Sequence, residues 1–275
     1  MFCTKMHGAG NSFLLTESLH GELQGEDLNG LALRLCDPAR GPGADGLIVL
    51  VPAADADFGM LFYNADGSLG EMCGNGARCL ARYGAEHGLV RDPEEIRIRA
   101  TAGLVTARRI DETRYELRLN DPSVAEPHRP VGAFGRVWDC AYVELGDPGI
   151  PHAVLELPEA GFADRDALRE LGRALRFSPA FPKGANVSFV SPAGEGRVRA
   201  LTYERGVEDF TLACGTGCGA IAVSLLLSGR VAGDRLVVEM PGGELSVSLR
   251  KADGRACDLL LTGPTAVVEE GELRL

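Results

Sequence analysis

Hydrophobic positions in this chain recur mainly with period two or in short unbroken runs bounded by Gly, Pro, Asn and Asp, which is the pattern of strands. In the first half such runs cover 47–51, 58–63, 96–101, 104–110 and 115–120. In the second half they cover 137–145, 153–157, 186–191, 198–203, 236–240, 245–249 and 259–262. Helical periodicity is rarer. Residues 27–36 and 164–176 read as surface amphipathic helices with Asp27 and Asp164 as N-caps. Residues 216–228 are apolar nearly all round, so that helix is expected to be buried on every side, and a sheet curling around it is the simple way to bury it.

Asn120-Asp121-Pro122-Ser123, followed by Pro127 and Pro130, reads as the crossover between two halves. At 275 residues the chain is near the size at which one core divides into two. The pattern predicts an α+β fold of two pseudo-symmetric lobes. Each is a curled mixed sheet around a central buried helix, with the active site in the cleft between them. The boundary falls after residue 120, between an N-terminal lobe over 1–120 and a C-terminal lobe over 121–262, and the family resemblance given below implies that 263–275 complete the N-terminal lobe.

Composition narrows the function classes. A net charge of −11 argues against a nucleic-acid surface, which needs clustered Lys and Arg. No apolar leader follows Met1, and the most apolar stretch, 219–227, is too short to span a bilayer, so neither export nor a membrane partner is expected. Eight cysteines without an export signal indicate free thiols in a reducing cytoplasm. Six of them (Cys3, Cys36, Cys79, Cys140, Cys218, Cys257) share no metal-ligand spacing and read as small buried hydrophobes.

The remaining two repeat one arrangement. Glu71-Met72-Cys73-Gly74-Asn75-Gly76 and Leu212-Ala213-Cys214-Gly215-Thr216-Gly217 each place a cysteine on a glycine-flanked turn at the start of a helix, one in each half. A thiol there meets open backbone N–H groups and the positive end of the helix dipole, which favours thiolate. The glycines permit close approach of a ligand and leave an anion cradle. Two such turns suggest a pair working on one ligand. No C-x-x-C occurs and no histidine lies within six residues of Cys73, Cys79, Cys214 or Cys218, so no metal is expected. Gly41-Pro42-Gly43-Ala44-Asp45-Gly46 has dinucleotide-motif spacing but precedes a strand instead of following one, and reads as a turn.

Around the two cysteines the sequence becomes specific. The stretch from Asn64 through Cys79 and that from Tyr203 through Gly217 closely resemble the two signatures of the diaminopimelate epimerase family, which belongs to the cofactor-independent amino-acid racemases. Further matches fall in order: Lys5–Phe13, Gly43–Gly46, Gly149–His152, Asn186–Phe189 and Thr262–Pro264, so the resemblance spans the chain. It implies the two-lobed fold, with a last strand near 266–275 returning to the first lobe. It implies Cys73 and Cys214 as the acid–base pair, assisted by His152 and Glu204. It implies Gly74, Asn75, Gly215 and Thr216 holding the reacting α-carboxylate, and Asn11, Asn64, Asn186, Glu204 and Arg205 recognising the far end of the substrate. The chain departs from the common pattern at Ile150, where Asn is usual, and at Ser12, Ser188 and Phe210.

The expected activity is cofactor-free epimerisation of LL- to meso-diaminopimelate on the way to lysine and cell-wall precursor. Inverting a stereocentre requires a base on one face and an acid on the other, and thiols tuned by helix ends suit both tasks. The expected partner is a small amino-acid substrate, and a homodimer is an assembly open to the chain. A racemase of the same fold acting on another amino acid is the alternative, and a thiol-redox or metal-binding protein is the rival of a different class.

Overall fold

A computed structural model describes residues 1–70 and 72–273. The chain divides into two compact units, Met1–Leu117 with the segment from Thr262 onward, and Arg118–Leu261. The first unit contains β1 (Phe2–Gly8), β2 (Asn11–Glu17), α1 (Leu28–Cys36), β3 (Gly46–Val51), β4 (Phe58–Asn64), β5 (Leu69–Gly70), α2 (Gly74–Glu86), β6 (Ile96–Ala100), β7 (Gly103–Arg109) and β8 (Arg114–Arg118). The second contains β9 (Pro122–Ala133), β10 (Arg136–Leu145), β11 (Ile150–Glu156), α3 (Arg165–Arg176), β12 (Asn186–Gly194), β13 (Arg197–Glu204), β14 (Asp209–Phe210), α4 (Gly215–Leu227), β15 (Arg235–Met240), β16 (Gly243–Ala252) and β17 (Arg255–Pro264). The last strand, β18 (Ala266–Glu272), pairs with β1 in the first unit.

The two units share one order of pairing. In the first, β18–β1–β2 are antiparallel, β2–β3 parallel, β3–β4 antiparallel, β4–β6 parallel and β6–β7 antiparallel. In the second, β9–β10–β11 are antiparallel, β11–β12 parallel, β12–β13 antiparallel, β13–β15 parallel and β15–β16 antiparallel. Each parallel step needs a crossover, and α1 and α3 supply the first, α2 and α4 the second.

Alternation along the strands sorts the side chains into two layers. Phe13, Leu15, Ile48, Leu50, Phe58 and Met60 join Ala77, Cys79, Leu80 and Ala81 of α2 in one core. Leu14, Leu47 and Val49 point the other way and pack with Leu31, Ala32 and Leu35 of α1. Both faces are covered, which is why β3 reads as the unbroken run Leu47-Ile48-Val49-Leu50. In the second unit Leu168, Leu171 and Leu175 of α3 cover Tyr142, Leu155, Val187, Phe189, Leu201 and Tyr203. Helix α4 packs against β9, β10, β11, β12, β15 and β16, and Cys218 through Val223 are all buried, as the all-round apolar sequence predicts. Asp27 and Asp164 cap α1 and α3 by accepting from Gly30 N and Ala167 N.

The chain passes from the first unit to the second between Leu117 and Arg118, next to the proline-marked segment, and that segment itself forms the twelve-residue strand β9, paired with β10. Pro122 opens the strand and Pro127 falls where the register shifts opposite Ala141, places where a ladder N–H is not required, while Pro130 pairs opposite Asp139. No helix among the described residues is long and apolar enough to cross a membrane.

Candidate active site

Cys73 and Cys214 occupy the same position in the two units. Each is the N-cap of its central helix, at φ −132°, ψ 113° before α2 and φ −122°, ψ 106° before α4. The extended N-cap leaves the N–H groups of the first turn directed past the thiol.

In the first unit, the turn between β1 and β2 is folded onto the start of α2. A Cβ on Gly8 would lie 2.8 Å from the Asn75 carbonyl oxygen, so only glycine permits this approach. It brings the Asn11 carboxamide oxygen to 3.9 Å from the Cys73 thiol and 3.3 Å from Asn75 Nδ2. The orientation of Asn11 is fixed from behind, since its Nδ2 donates to Asp45 Oδ2 at 2.8 Å. Asp45 also accepts from the backbone N and hydroxyl of Ser12. On the other side, the fully buried Arg78 donates to Asn75 Oδ1 at 2.8 Å. Asn11, Cys73, Gly74 and Asn75 are thus brought together. Asn64 ends β4 and donates to Ser68 Oγ at 2.9 Å within its own turn.

In the second unit, the Cys214 thiolate position is built by α4 itself. Gly217 N donates to Sγ at 3.4 Å and the Thr216 hydroxyl lies 3.7 Å away. A Cβ at Gly217 would stand 3.2 Å from Sγ and 3.1 Å from Thr202 Oγ1, so glycine makes room for the sulfur. Glu204 closes β13 with its carboxylate against the Cys214 thiol and Thr211. Burial raises its pKa, and those two partners partly offset the rise.

The expectation that the helix end would make Cys214 a thiolate is overturned. Burial first, and the Glu204 charge second, push its pKa well above the ordinary thiol range, more than Gly217 N–H and Thr216 lower it. Burial and the neighbouring carboxylate thus favour the protonated form of Cys214.

His152 and Asn186 lie opposite one another in the parallel pair β11–β12. Asn186 Oδ1 accepts from Arg205 N at 2.7 Å, and Lys183 O accepts from Arg205 Nη1 at 3.1 Å. The exposed guanidinium keeps its other N–H donors without a protein partner among the described residues. His152 is fully buried, neither ring nitrogen has a partner among the described residues, and burial, with Arg205 adding to it, lowers its pKa to about 3. It is a neutral imidazole at physiological pH.

The departures from the family pattern have local explanations at three positions. Phe210 packs edge-on against Phe189 and Tyr203, with ring centroids 6.2 and 6.1 Å away, and so serves the α3-side core. Ser188 shares a hydrogen bond of 3.0 Å with Thr202. Ser12 binds Asp45. Ile150 is partly exposed at the start of β11.

All eight cysteines are free thiols. Cys3, Cys36, Cys79, Cys140 and Cys218 are buried as expected, but Cys257 is not, being half-exposed with its S–H donating to Arg250 O. No group of three or more metal-ligating side chains occurs among the described residues. Sequence reading gave no role to Asp45, Arg78 or Thr211. The sequence carries one signal for Asp45, its place in Gly43–Gly46 just before a strand.

Residues 3–122 and 146–268 match the model of a family described as diaminopimelate epimerase. The chain is 37% identical to the diaminopimelate epimerase of Desulforudis audaxviator over 286 residues, covering 98% of each. It is 33% identical to that of Moorella thermoacetica over the full length of both. In fold it is similar to a Bacillus anthracis phenazine biosynthesis protein of the PhzF family, with TM-score 0.75 and 13% identity over 100% of this chain and 99% of the other. A hydroxyproline epimerase from Agrobacterium vitis gives TM-score 0.66 and 21% identity over 98% and 91%.

Proposed function

The chain belongs to the diaminopimelate epimerase family, whose members are isomerases, and we propose that it interconverts LL- and meso-diaminopimelate by proton transfer between Cys73, Cys214 and the substrate α-carbon. The observation that carries this reading is the repeated N-cap cysteine, one per unit with nearly the same backbone angles. One thiolate takes the α-proton and becomes a thiol, while the other thiol protonates the opposite face of the carbanion and becomes a thiolate. No electron is exchanged and no cofactor is called for.

The carbanion is the difficult species, because its charge must be held by the carboxylate alone. N–H groups at Gly74 and Asn75, and at Gly215 and Thr216, are preorganised donors for that charge, each worth about 3 kcal/mol in the transition state. Cys214 is the resident acid, since burial and Glu204 keep its proton on. The forward step leaves a thiolate on Cys214 and a thiol on Cys73, so in the reverse direction the roles exchange, with Cys214 taking the α-proton and Cys73 returning one to the opposite face. Cys73 is the complementary base, oriented by Asn11. Arg205 supplies an open guanidinium for the distal carboxylate of the substrate. Asn186 holds the Arg205 backbone through its Oδ1 and so supports the same end of the substrate. The product feeds lysine and cell-wall precursor synthesis, and the enzyme works in the cytoplasm.

The test is α-proton exchange in D₂O with diaminopimelate beside lysine and histidine. Diaminopimelate is expected to exchange fastest, and Cys73→Ala and Cys214→Ala are each expected to abolish epimerisation in a folded protein. Faster exchange of a monocarboxylic amino acid would defeat the substrate assignment and leave the two-thiol chemistry standing. Full activity in either cysteine variant would defeat the chemistry.

A further inference from the structure

Behind Arg205 lies a second charged pair that the chemistry above does not use. Glu144, near the end of β10, is a buried carboxylate with only 9% of its side chain exposed. Its Oε1 accepts from Tyr142 OH at 2.6 Å and its Oε2 from Lys183 Nζ at 2.8 Å. The Tyr142 ring is clamped in turn, by the Arg129 guanidinium 3.7 Å above it and by Phe181 stacked at 5.3 Å. Exposed ion pairs contribute little, but here the acid is buried and hydrogen-bonded on both oxygens, so the lysine is held at a defined place.

What that place controls is Arg205. The carbonyl of the same Lys183 accepts from Arg205 Nη1, and three residues on, Asn186 Oδ1 accepts from Arg205 N. Only Gly184 and Ala185 separate the two anchors. Gly184 is in the left-handed region at φ +65° against the Arg176 side chain, which leaves this short link little freedom. Glu144 also lies directly beneath Gly149, where a Cβ would meet Glu144 Cβ at 2.6 Å and Oε2 at 2.9 Å. One carboxylate therefore fixes both the turn that leads into Ile150 and the segment that carries Arg205.

We infer that the Glu144–Lys183 pair positions the Arg205 guanidinium for a distal carboxylate, making Glu144 and Lys183 specificity-determining positioning residues. This rests on the reading of Arg205 given above. Without the pair, Lys183 O drifts, and the guanidinium loses its hydrogen-bonded seat while the thiols and their helix ends are untouched. The consequence falls on substrate binding and not on proton transfer.

Glu144→Gln and Lys183→Met test this, since the first is isosteric and the second alters an exposed side chain but keeps the backbone carbonyl. Each is expected to raise KM for diaminopimelate about tenfold, the value of one well-placed hydrogen bond, with kcat within about twofold of wild type. Lys183→Arg is expected to restore most of the loss. In an Arg205→Ala background the same two substitutions are expected to add nothing, because the group they position is gone. If Arg205→Ala raises KM but Glu144→Gln and Lys183→Met leave it unchanged, or add in full to Arg205→Ala, the positioning role is overturned and the reading of Arg205 stands. If Arg205→Ala leaves KM unchanged, the reading of Arg205 is itself wrong.

Discussion

Gly8→Ala probes the contact that seats Cys73. The added methyl would fall 2.8 Å from the Asn75 carbonyl oxygen, 3.3 Å from its carbonyl carbon and 3.4 Å from its Cα, all backbone atoms with no rotamer to yield. Relieving the overlap requires about 0.5 Å of separation, given carbon contact optima near 3.5–4.0 Å. β1 cannot recede, because it is paired with β2 on one side and β18 on the other, with Gly8 opposite Asn11. The first turn of α2 must move instead, and it carries Cys73, Gly74 and Asn75. Such overpacking costs about 1–3 kcal/mol, which a domain stable by about 5–15 kcal/mol survives. A displacement of about 1 Å at reacting groups costs about a hundredfold in rate, so half of that predicts about a tenfold loss in kcat/KM. Urea unfolding and D₂O exchange on the same preparation measure both quantities. Gly271→Ala in β18, where a Cβ meets nothing within 4 Å, is the control and is expected to be silent. Wild-type stability with wild-type kcat/KM in Gly8→Ala would refute the claim that this approach positions the thiol.

Glu204→Gln removes the charge that helps hold the proton on Cys214, so the thiol pKa is expected to fall and iodoacetamide is expected to label Cys214 at lower pH than in wild type. An unchanged labelling profile, read by mass spectrometry, counts against a carboxylate acting on that sulfur. His152 is buried neutral with a pKa near 3, below the unfolded value of about 6.5, so its contribution is intact above pH 6.5 and is lost as pH falls toward 3. Wild type is expected to lose about 2 kcal/mol relative to His152→Leu between pH 7 and pH 5, measured by urea midpoints at both, and a pH-independent gap would mean the imidazole is not desolvated. Phe210→Ala is expected to cost about 2 kcal/mol of stability by opening the contact with Phe189 and Tyr203, with KM little changed. A large KM rise at native stability would put Phe210 in the binding site.

Strands with inward and outward periodicity were legible in the sequence because the sheet faces are covered by helices of different character. The buried α4 was legible too, since a helix apolar on all sides has only one place to be. β1 and β2 are less legible because polar Thr4, Lys5 and His7 occupy β1 and polar Asn11 and Ser12 open β2, and of these Asn11 is the residue brought to Cys73. Proline density masked β9 as a strand, because proline forbids a ladder donor but not a strand position that needs none. The cysteine turns could be read from local glycine spacing. The ionisation of Cys214 could not, because it depends on burial and on Glu204, ten residues away in the chain and brought back by the β13–β14 turn.

That turn shows how one repeated fold yields two unlike thiols. Asn64 is the last residue of β4 and Glu204 the last residue of β13, and each is followed by a tight turn, a two-residue strand and then the N-cap cysteine. The same topological position therefore carries a neutral amide in one unit and a carboxylate in the other. Cys214 faces Glu204, whereas the partner brought to Cys73 is the Asn11 carboxamide, itself held by Asp45. An amide oxygen carries no net charge and opposes a thiolate less than a carboxylate does, while a carboxylate beside a buried sulfur favours the protonated form more strongly. Two equivalent thiols sharing one proton would hold it on either sulfur equally, so nothing in such a site would say which of them is the acid. The carboxylate at one repeated strand end and the amide at the other make the surroundings of the two sulfurs unlike, and the carboxylate favours keeping the proton on Cys214.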